Sequence, residues 1–251
     1  MNALWFAAKA KINHRLAMHF RVESFRLRNE TPMVSFTFDD IPKSAATTGA
    51  GILEDHGVRG TFYVSGGQVG TTGSPHWAAV DVPDIVALHR RGHEIGCHTF
   101  SHRRTCDLDA ASMTAEIEQN SRYLRSVDPS IKIENFAYPF GYGSFGRKRQ
   151  LKAAFQSCRG IVPGVNSGTV DPQFLRAMPL IDRHIDRDAI ERALDETLVN
   201  NGWLIFYSHD VAETPSPYGC SPALLNHALE AASRRKIRGL NMAEALLCAR
   251  A

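Results

Sequence analysis

Strand-like and helix-like segments alternate along the chain from Met33 onward. Short runs rich in apolar, β-branched and aromatic residues predict strands over 34–38, 60–64, 94–97, 135–139 and 203–207. Apolar residues at helical spacing and capping residues predict helices near 45–56, over 83–88, after Asp109, over 188–200 and after Ser221. This alternation is typical of an α/β fold, in which helices cover a parallel sheet.

The first predicted strand ends in two carboxylates, Asp39 and Asp40. An open, doubly wound sheet usually carries a glycine-rich phosphate loop at this point, and the sequence has none there. We therefore predict a barrel-like fold. No linker or internal repeat divides the chain, so we expect a single domain over residues 31–251, preceded by a basic N-terminal extension of residues 1–30.

Composition supports one large soluble domain. The 251 residues, 43% of them hydrophobic, are enough to bury a full core. The charge is nearly balanced, with 29 Lys+Arg against 26 Asp+Glu, so no nucleic-acid partner is expected. Five widely spaced cysteines without a CxxC pattern indicate reduced thiols. The number of histidines, 11, is unusual and needs an explanation.

We expect neither a signal peptide nor a membrane span in residues 1–30. The apolar stretch 3–8 is interrupted by Lys9 and Lys11, and no run reaches the ~18–20 apolar residues that cross a bilayer. A cytoplasmic location is the default expectation. The basic stretch 9–28 favours a solvated helix packed on the domain and leaves membrane-surface association open. The sequence does not indicate an oligomeric state.

Polar clusters follow three of the predicted strands: Asp39-Asp40, His98 to His102 and Ser208-His209-Asp210; a fourth segment, 136–141, also marks the end of a strand. Each cluster alone is common on loops or in cores. In a parallel barrel, however, the carboxyl ends of all strands open on one face, so we expect the clusters to meet in one pocket.

These residue types together suit metal-assisted amide hydrolysis. Two imidazoles and one carboxylate can hold a zinc ion and leave a position for water. The second carboxylate can accept the proton of that water, and a distant histidine can protonate the leaving amine. Backbone N–H groups of a Pro-Phe-Gly turn can bind the oxyanion.

The ordered motifs Thr37 to Asp40, His98-x-x-x-His102, 136–141 and Leu204-x-x-x-x-His209 closely resemble those of the polysaccharide deacetylases, carbohydrate esterase family four. This family includes chitooligosaccharide and peptidoglycan deacetylases. The resemblance extends from about Met33 to Leu240. It implies a distorted, incomplete (β/α) barrel, an N-acetylated glycan or glycan precursor as substrate, and one divalent metal ion, most often Zn²⁺, with Co²⁺, Ni²⁺ or Mn²⁺ as alternatives.

The resemblance also implies roles by motif position. They are Asp39 as catalytic base, Asp40, His98 and His102 as metal ligands, Tyr138, Pro139, Phe140 and Gly141 at the oxyanion and substrate site, Leu204 in the acetyl-methyl pocket, and His209 as general acid. Trp77, beside the Gly/Ser/Pro-rich loop 66–75, is a further candidate for stacking on a sugar ring.

The sequence departs from the family pattern at three places. Ile41-Pro42 follows the paired aspartates where the family often has Gly-Pro. Ala137 stands where many members carry an arginine that orients the base, and we expect another residue, with Arg183 as candidate, to replace it. The motif that carries the aspartate partner of the acid histidine is indistinct, and Asp182 is our candidate for that partner.

Three other functions remain open at this point. Because the family arginine is absent at position 137, one alternative is a C–N hydrolase that acts on a small non-sugar amide. A metal-binding or glycan-binding homologue without catalysis would lack the base or the acid, yet Asp39 and His209 are both present. A non-haem iron oxygenase also uses two histidines and a carboxylate, but it gives no role to Asp39 and His209.

Overall fold

The structure is a computed structural model that describes residues 3–71 and 74–250, with side chains from residue 10 onward. Its α-helices are α1 (Ala3–His19), α2 (Ala50–Asp55), α3 (Val82–Arg90), α4 (Ala110–Val127), α5 (Phe145–Ala154), α6 (Arg187–Val199), α7 (Pro222–Arg234) and α8 (Met242–Arg250). Its strands are β1 (Phe25–Arg26), β2 (Met33–Asp39), β3 (Thr61–Val64), β4 (Glu94–Cys97), β5 (Asn135–Ala137), β6 (Ser157–Arg159), β7 (Thr169–Val170), β8 (Met178–Pro179), β9 (Trp203–Ser208) and β10 (Arg238–Gly239).

The main sheet is parallel and curled. Within the described ranges, seven strands follow one another in the order β6-β5-β4-β3-β2-β9-β8, and β10 pairs with the beginning of β2. Because all of these pairings are parallel, the carboxyl ends of the strands share one rim. The predicted α/β barrel with fewer than eight complete units is therefore confirmed.

Hydrogen bonds bring the two edges of this sheet together. Leu175, three residues before β8, donates its N–H to the Cys158 carbonyl of β6 at 2.9 Å, and the Gly160 N–H donates to the Leu175 carbonyl at 2.9 Å. Three residues later, β8 begins and pairs with β9. The short segment 175–179 thus spans the gap between β6 and β9, and the sheet encloses an interior lined by side chains.

Alternation along β9 separates two cores. Trp203, Ile205 and Tyr207 belong to the cluster inside the barrel, which also contains Met242 of α8. Leu204 and Phe206 belong to the outer cluster beneath the surrounding helices. Because successive side chains of a strand point to opposite faces, a residue's position in this alternation decides whether it can reach the interior.

The N-terminal segment folds against the barrel. Helix α1 ends at His19 rather than extending to residue 28, and β1 then pairs antiparallel with β7. In α1 the side chain of Arg15 is exposed and that of Ala17 is buried. Met1, Asn2 and the side chain of Lys9 lie outside the description. Among the described residues no helix is long and apolar enough to cross a membrane.

Most predicted elements are present with small shifts in their ends. Strand β4 has the predicted bounds, whereas α6 begins at Arg187 because Asp186 caps it by accepting the N–H of Ala189 at 2.7 Å. Seven of the α-helices and strands described above were not predicted from the sequence: β1, β6, β7, β8, β10, α5 and α8. Strands β6 and β8 are only two or three residues long, which is too short to show the alternation of a strand. Helix α5 buries only Lys148 and Leu151, so its sequence lacks an apolar face at helical spacing.

Candidate active site

The acidic pair lies at the rim of a cavity of about 520 Å³. Asp39 is the last residue of β2 and is buried, and Asp40 follows with φ at 56°. Within the described residues, five of the seven non-glycine residues with positive φ stand at this rim: Asp40, Ile41, Thr99, His102 and Phe140. Such backbone strain is typical of functional sites, where the surrounding structure maintains it.

A network of buried hydrogen bonds holds the two histidines that follow β4. The Glu116 carboxylate of α4 accepts the N–H groups of Phe100 and Ser101 at 2.9 and 2.8 Å and so fixes the turn between the imidazoles. His98 Nδ1 donates to the Ala137 carbonyl at 2.9 Å. Because a carbonyl only accepts, Nδ1 carries the proton of the neutral ring, and Nε2 presents its lone pair to the cavity.

Asp40, His98 and His102 form a cluster whose ligand atoms all lie within 4.8 Å of one another. Asp40 Oδ1 is 3.6 Å from His98 Nε2 and 3.1 Å from His102 Nε2. Burial lowers the pKa of His98 to about 3 and that of His102 to about 4, so both rings are neutral at pH 7. Burial and the nearby Asp39 charge raise the pKa of Asp40 to about 6.

This donor set fits a divalent metal ion. Asp40 Oδ1 is buried and accepts no hydrogen bond from any described residue, an arrangement that costs free energy unless a cation satisfies it. Two neutral imidazoles and one carboxylate are the usual three protein ligands of a catalytic zinc, with room left for water. The three residues follow the ends of β2 and β4, which lie on either side of β3 and end on the same rim of the parallel sheet.

Arg159 is the cation beside Asp39. Its guanidinium forms a buried ion pair with Asp39, donating from Nη2 to Oδ1. Burial by itself would raise the pKa of Asp39, but the charge of Arg159, assisted by His98 and His209, holds it below the ordinary value. Asp39 is therefore an ionised carboxylate, stabilised inside the barrel and open to the cavity.

The position of Arg159 explains the alanine in the third motif. Arg159 is the last residue of β6, and its register partner on β5 is Ala137. Neighbouring residues in register point to the same face, so an arginine moved by one strand still enters the interior. Its guanidinium lies 5.1 Å from the Tyr63 ring centroid and 5.4 Å from that of Tyr207. The expectation for Arg183 was wrong, since that residue is exposed.

His209 also lines the cavity, at the end of β9. Its Nδ1 lies 3.2 Å from the Tyr218 carbonyl, which can only accept, so Nε2 is the nitrogen free to exchange a proton. The buried Asp210 accepts the Ser216 N–H at 2.8 Å and so ties down the loop that carries Tyr218. Asp182 does not contact His209: it is exposed and accepts the Ser221 N–H at 2.8 Å. The predicted pairing of Asp182 with His209 was wrong.

The third motif forms a strained turn at the cavity. Phe140 has φ at 57°, is 56% exposed and lines the cavity, with its ring 4.5 Å from that of His102. Tyr138, Pro139 and Gly141 are buried and shape the turn from behind, and the Tyr138 hydroxyl donates to the Gln173 carbonyl at 2.8 Å. Of the four predicted residues, Phe140 alone is among the cavity-lining side chains.

Leu204 is not part of the cavity. It pairs with Val34 near the beginning of β2, packs in the outer core, and lies about 16 Å along the strand from His209, at ~3.3 Å per residue. The predicted methyl-pocket role was therefore wrong. Apolar side chains that do line the cavity are those of Tyr207, Ile161 and Ile181.

Aromatic rings form another wall. Trp77 lines the cavity, and its ring centroid lies 5.7 Å from that of His209 and 6.3 Å from that of Tyr218. Residues 72 and 73 of the predicted rim loop lie outside the description. The site contains residues that were not predicted from the sequence, among them Arg159, Tyr207 and His184, which the fold brings there from β6, β9 and the segment after β8. One indication of Arg159 was present in the sequence: Ala137 stands where many family members have an arginine, which predicts that a residue from elsewhere in the chain replaces it.

Comparison with known families identifies the fold and its motifs. The model of the family described as polysaccharide deacetylase matches residues 26–155, just over half of the chain. The chain belongs to the polysaccharide deacetylase family. Members of this family depend on a metal, which agrees with the cluster of Asp40, His98 and His102.

Curated relatives of this deacetylase-family chain include two fungal chitin deacetylases. The Pestalotiopsis sp. protein is 32% identical over 95 residues, which are 37% of this chain and 29% of the relative. The Colletotrichum lindemuthianum protein is 28% identical over 195 residues, which are 72% of this chain and 68% of the relative. The match to the first relative thus spans less than a third of that protein's length.

A solved structure shows the same fold. The chitin deacetylase of Colletotrichum lindemuthianum superposes with a TM-score of 0.64 and 19% identity, covering 87% of this chain and 89% of that chain. At this identity the likeness establishes the architecture of the deacetylase barrel.

Proposed function

We propose that this chain is a metal-dependent hydrolase that removes N-acetyl groups from an N-acetylhexosamine-containing glycan or glycan precursor. The observation that carries the proposal is the convergence of a three-residue metal cluster, an arginine-paired carboxylate and a histidine on one cavity. The names of the chitin deacetylase relatives support this substrate class. We also infer that residues 31–251 form one catalytic domain and that residues 1–30 are an extension of it.

Asp40, His98 and His102 would hold the metal. The two nitrogen donors and one oxygen donor favour Zn²⁺, and Co²⁺, Ni²⁺ or Mn²⁺ are alternatives of the same charge. A metal bound there supplies a water of lowered pKa and polarises the acetyl carbonyl. The hydrogen bond from His98 Nδ1 to the Ala137 carbonyl fixes that ring so that Nε2 faces the metal position.

Asp39 would be the general base. Arg159 binds Oδ1, so Oδ2 is the oxygen left to take a proton from the attacking water. The same guanidinium keeps the carboxylate ionised although it is buried, as a base must be before the reaction. Arg159 is thus a positioning residue: it orients the Asp39 carboxylate and keeps it ionised without touching the substrate.

His209 would be the general acid. Its Nδ1 remains on the Tyr218 carbonyl, so only Nε2 gains and loses a proton. A protonated Nε2 that points into the cavity can donate to the leaving amine of the sugar. The backbone of the strained turn at Phe140 would help to bind the oxyanion. Tyr207, Ile161 and Ile181 offer an apolar wall for the acetyl methyl, and Trp77 a ring on which a sugar can stack.

A panel of N-acetylated substrates tests the proposal. Metal-loaded protein is incubated with chitooligosaccharides of increasing length, with N-acetylglucosamine and with a simple acylated amine, and acetate is measured. We expect acetate from the oligosaccharides, loss of activity on chelation, and no turnover by Asp39→Asn. Release only from the simple amine would favour the small-amide hydrolase, and saturable glycan binding without product would favour a homologue that has lost catalysis.

A further inference from the structure

Helix α1 lies outside the segment that the family model matches, which begins at residue 26. It packs against α5 and against residues 142–146, which follow the third motif directly and include the first two residues of α5; we call this segment the post-motif loop. This loop leads out of the strained turn at Phe140, the proposed oxyanion site. What holds the loop therefore bears on the geometry of the turn.

Two neighbouring residues of α1 hold the post-motif loop by its polar groups. Asn13 Nδ2 donates to Ser144 Oγ at 3.1 Å, and Asn13 Oδ1 accepts the Gly146 N–H at 3.2 Å. His14 Nδ1 accepts the Gly143 N–H at 3.1 Å, and its ring centroid lies 5.0 Å from that of Tyr142. Burial lowers the pKa of His14, which keeps the ring neutral and Nδ1 free to accept.

The contact is too close for a side chain at Gly143. A Cβ placed there would lie 2.3 Å from Phe174 Cε2 and 3.1 Å from the Cβ of Ala17, a residue of α1 that is fully buried. Tight packing of this kind leaves the loop no room to shift while α1 stays in place. Phe174 therefore requires glycine at 143, and Ala17 of α1 packs against the same position from the helix side.

A buried lysine connects the carboxyl end of α1 to the barrel by hydrogen bonds. Lys148 Nζ donates to the carbonyls of Ala17 and Phe20 at 2.8 and 3.0 Å and lies 2.5 Å from Asp171 Oδ2. A cation is favourable at the carboxyl end of a helix, and this one is nearly inaccessible to water. Separating α1 from the barrel would expose or unpair this ion pair, so the helix is an integral part of the fold.

The turn before the loop needs such support. Phe140 and Gly141 have φ values of 57° and 69°, and the hydrogen bond from Gly141 N to the Tyr138 carbonyl is local to the turn. A non-glycine residue in the left-handed region is strained, so the surroundings must enforce that conformation. Strand β5 holds one end of the turn, and α1 holds the other through the post-motif loop.

We propose that α1 is a positioning element for the turn at Phe140, and that Asn13 and His14 are its positioning residues. This inference rests on the proposed function, since the turn matters only if its backbone binds the reacting carbonyl group. It assigns a role in the reaction to a helix that contributes no side chain to the metal cluster. It also predicts that the metal site and the turn can be perturbed separately.

Variants of the full chain test the coupling. His14→Leu removes the acceptor for Gly143, whereas His14→Asn can place Oδ1 near the position of Nδ1 and retain it. Ile12→Ala is the matched control, because Ile12 is 60% exposed on the same helix. For each variant we would measure kcat and KM for chitooligosaccharide, the Kd for Zn²⁺, and amide hydrogen exchange of residues 138–146.

We expect His14→Leu to lower kcat at least about tenfold, as partial loss of an oxyanion donor would, and to speed exchange of residues 138–146. KM and the Kd for Zn²⁺ should stay within about twofold of wild type, and His14→Asn should recover most of kcat. Ile12→Ala should match wild type. If His14→Leu does not fold, Asn13→Ala should give the same pattern.

Unchanged kcat and exchange in a folded variant would overturn the inference. So would a parallel loss of Zn²⁺ affinity and kcat, because α1 would then only stabilise the fold. The two proposals fail in different ways. A wild-type protein that releases no acetate refutes the proposed function, whereas faster exchange in His14→Leu still supports the coupling of α1 to the turn.

Discussion

The ion pair between Arg159 and Asp39 is the feature of the site with the most specific consequences. Arg159→Met leaves the Asp39 carboxylate buried without its counter-ion. Breaking a buried pair from one side typically costs about 3–5 kcal/mol. An adjacent arginine lowers the pKa of an aspartate by about 1–3 units, so its loss raises the pKa of Asp39 by a similar amount, and burial raises it further.

The sign of the pH dependence follows from these shifts. In the wild type the folded pKa of Asp39 lies below its unfolded value of about 3.9, so the pair stabilises the fold above that pH and the stabilisation is lost as pH falls through the folded pKa. In Arg159→Met the folded pKa lies above the unfolded one. Asp39 then destabilises the fold at high pH, and protonation relieves the penalty as pH falls.

Urea unfolding of the metal-free proteins at pH 5 and pH 8 measures this difference. We expect the loss of unfolding free energy in Arg159→Met to be greater at pH 8 than at pH 5. The acidic limb of kcat/KM in the metal-loaded enzyme should move up by about 1–3 pH units, with kcat/KM about 10²-fold lower at its maximum because the base is misoriented.

A second-site variant sharpens the test. Ala137 is the register partner of Arg159 and is buried in the interior cluster, so Ala137→Arg combined with Arg159→Ala should return a guanidinium to Asp39. We expect this double variant to recover much of the activity, and Arg183→Ala to behave as wild type. Equal losses at both pH values, or an effect of Arg183→Ala as large as that of Arg159→Met, would refute the reasoning.

Three further predictions concern other parts of the site. Asp39→Asn should retain Zn²⁺ and lose turnover, whereas His98→Ala should lose both, as equilibrium dialysis and acetate release would show; an Asp39→Asn variant with full activity would remove Asp39 from the role of base. Leu204→Ala should lower the unfolding free energy by about 2–5 kcal/mol and leave KM unchanged, because Leu204 lies in the outer core; a raised KM would place it at the substrate after all. Trp77→Ala should raise KM for chitooligosaccharides more than it lowers kcat, and equal kinetics would exclude stacking on the sugar.

Local patterns were sufficient for the strands that carry the site. Strand β4 and the strand that ends at Asp39 follow directly from apolar runs that stop at a polar residue. Short or polar elements such as β6 and α5 were missed because three residues cannot show a period and because α5 buries few side chains. Packing against the rest of the barrel makes these segments ordered, and the sequence does not display that packing.

The errors at the site have a common physical origin. Leu204 and His209 belong to one motif, but the alternation of β9 sends Leu204 to the outer core. Asp182 is close to the expected motif in sequence, yet the Tyr218 carbonyl occupies Nδ1 of His209. In each case the direction of a side chain, rather than its place in the sequence, decided its contacts.

The sequence by itself predicted the barrel and the meeting of its polar clusters, because these residues sit at the ends of recognisable strands and parallel strands end on one rim. The proposed base, metal ligands and acid came from the resemblance of its motifs to those of the polysaccharide deacetylases. Only the tertiary structure decided which groups control them. Arg159 is 120 residues from Asp39, and Asn13 of α1 is 131 residues from Ser144 of the post-motif loop. Such contacts depend on strand order and register, which arise when the whole sheet curls and closes.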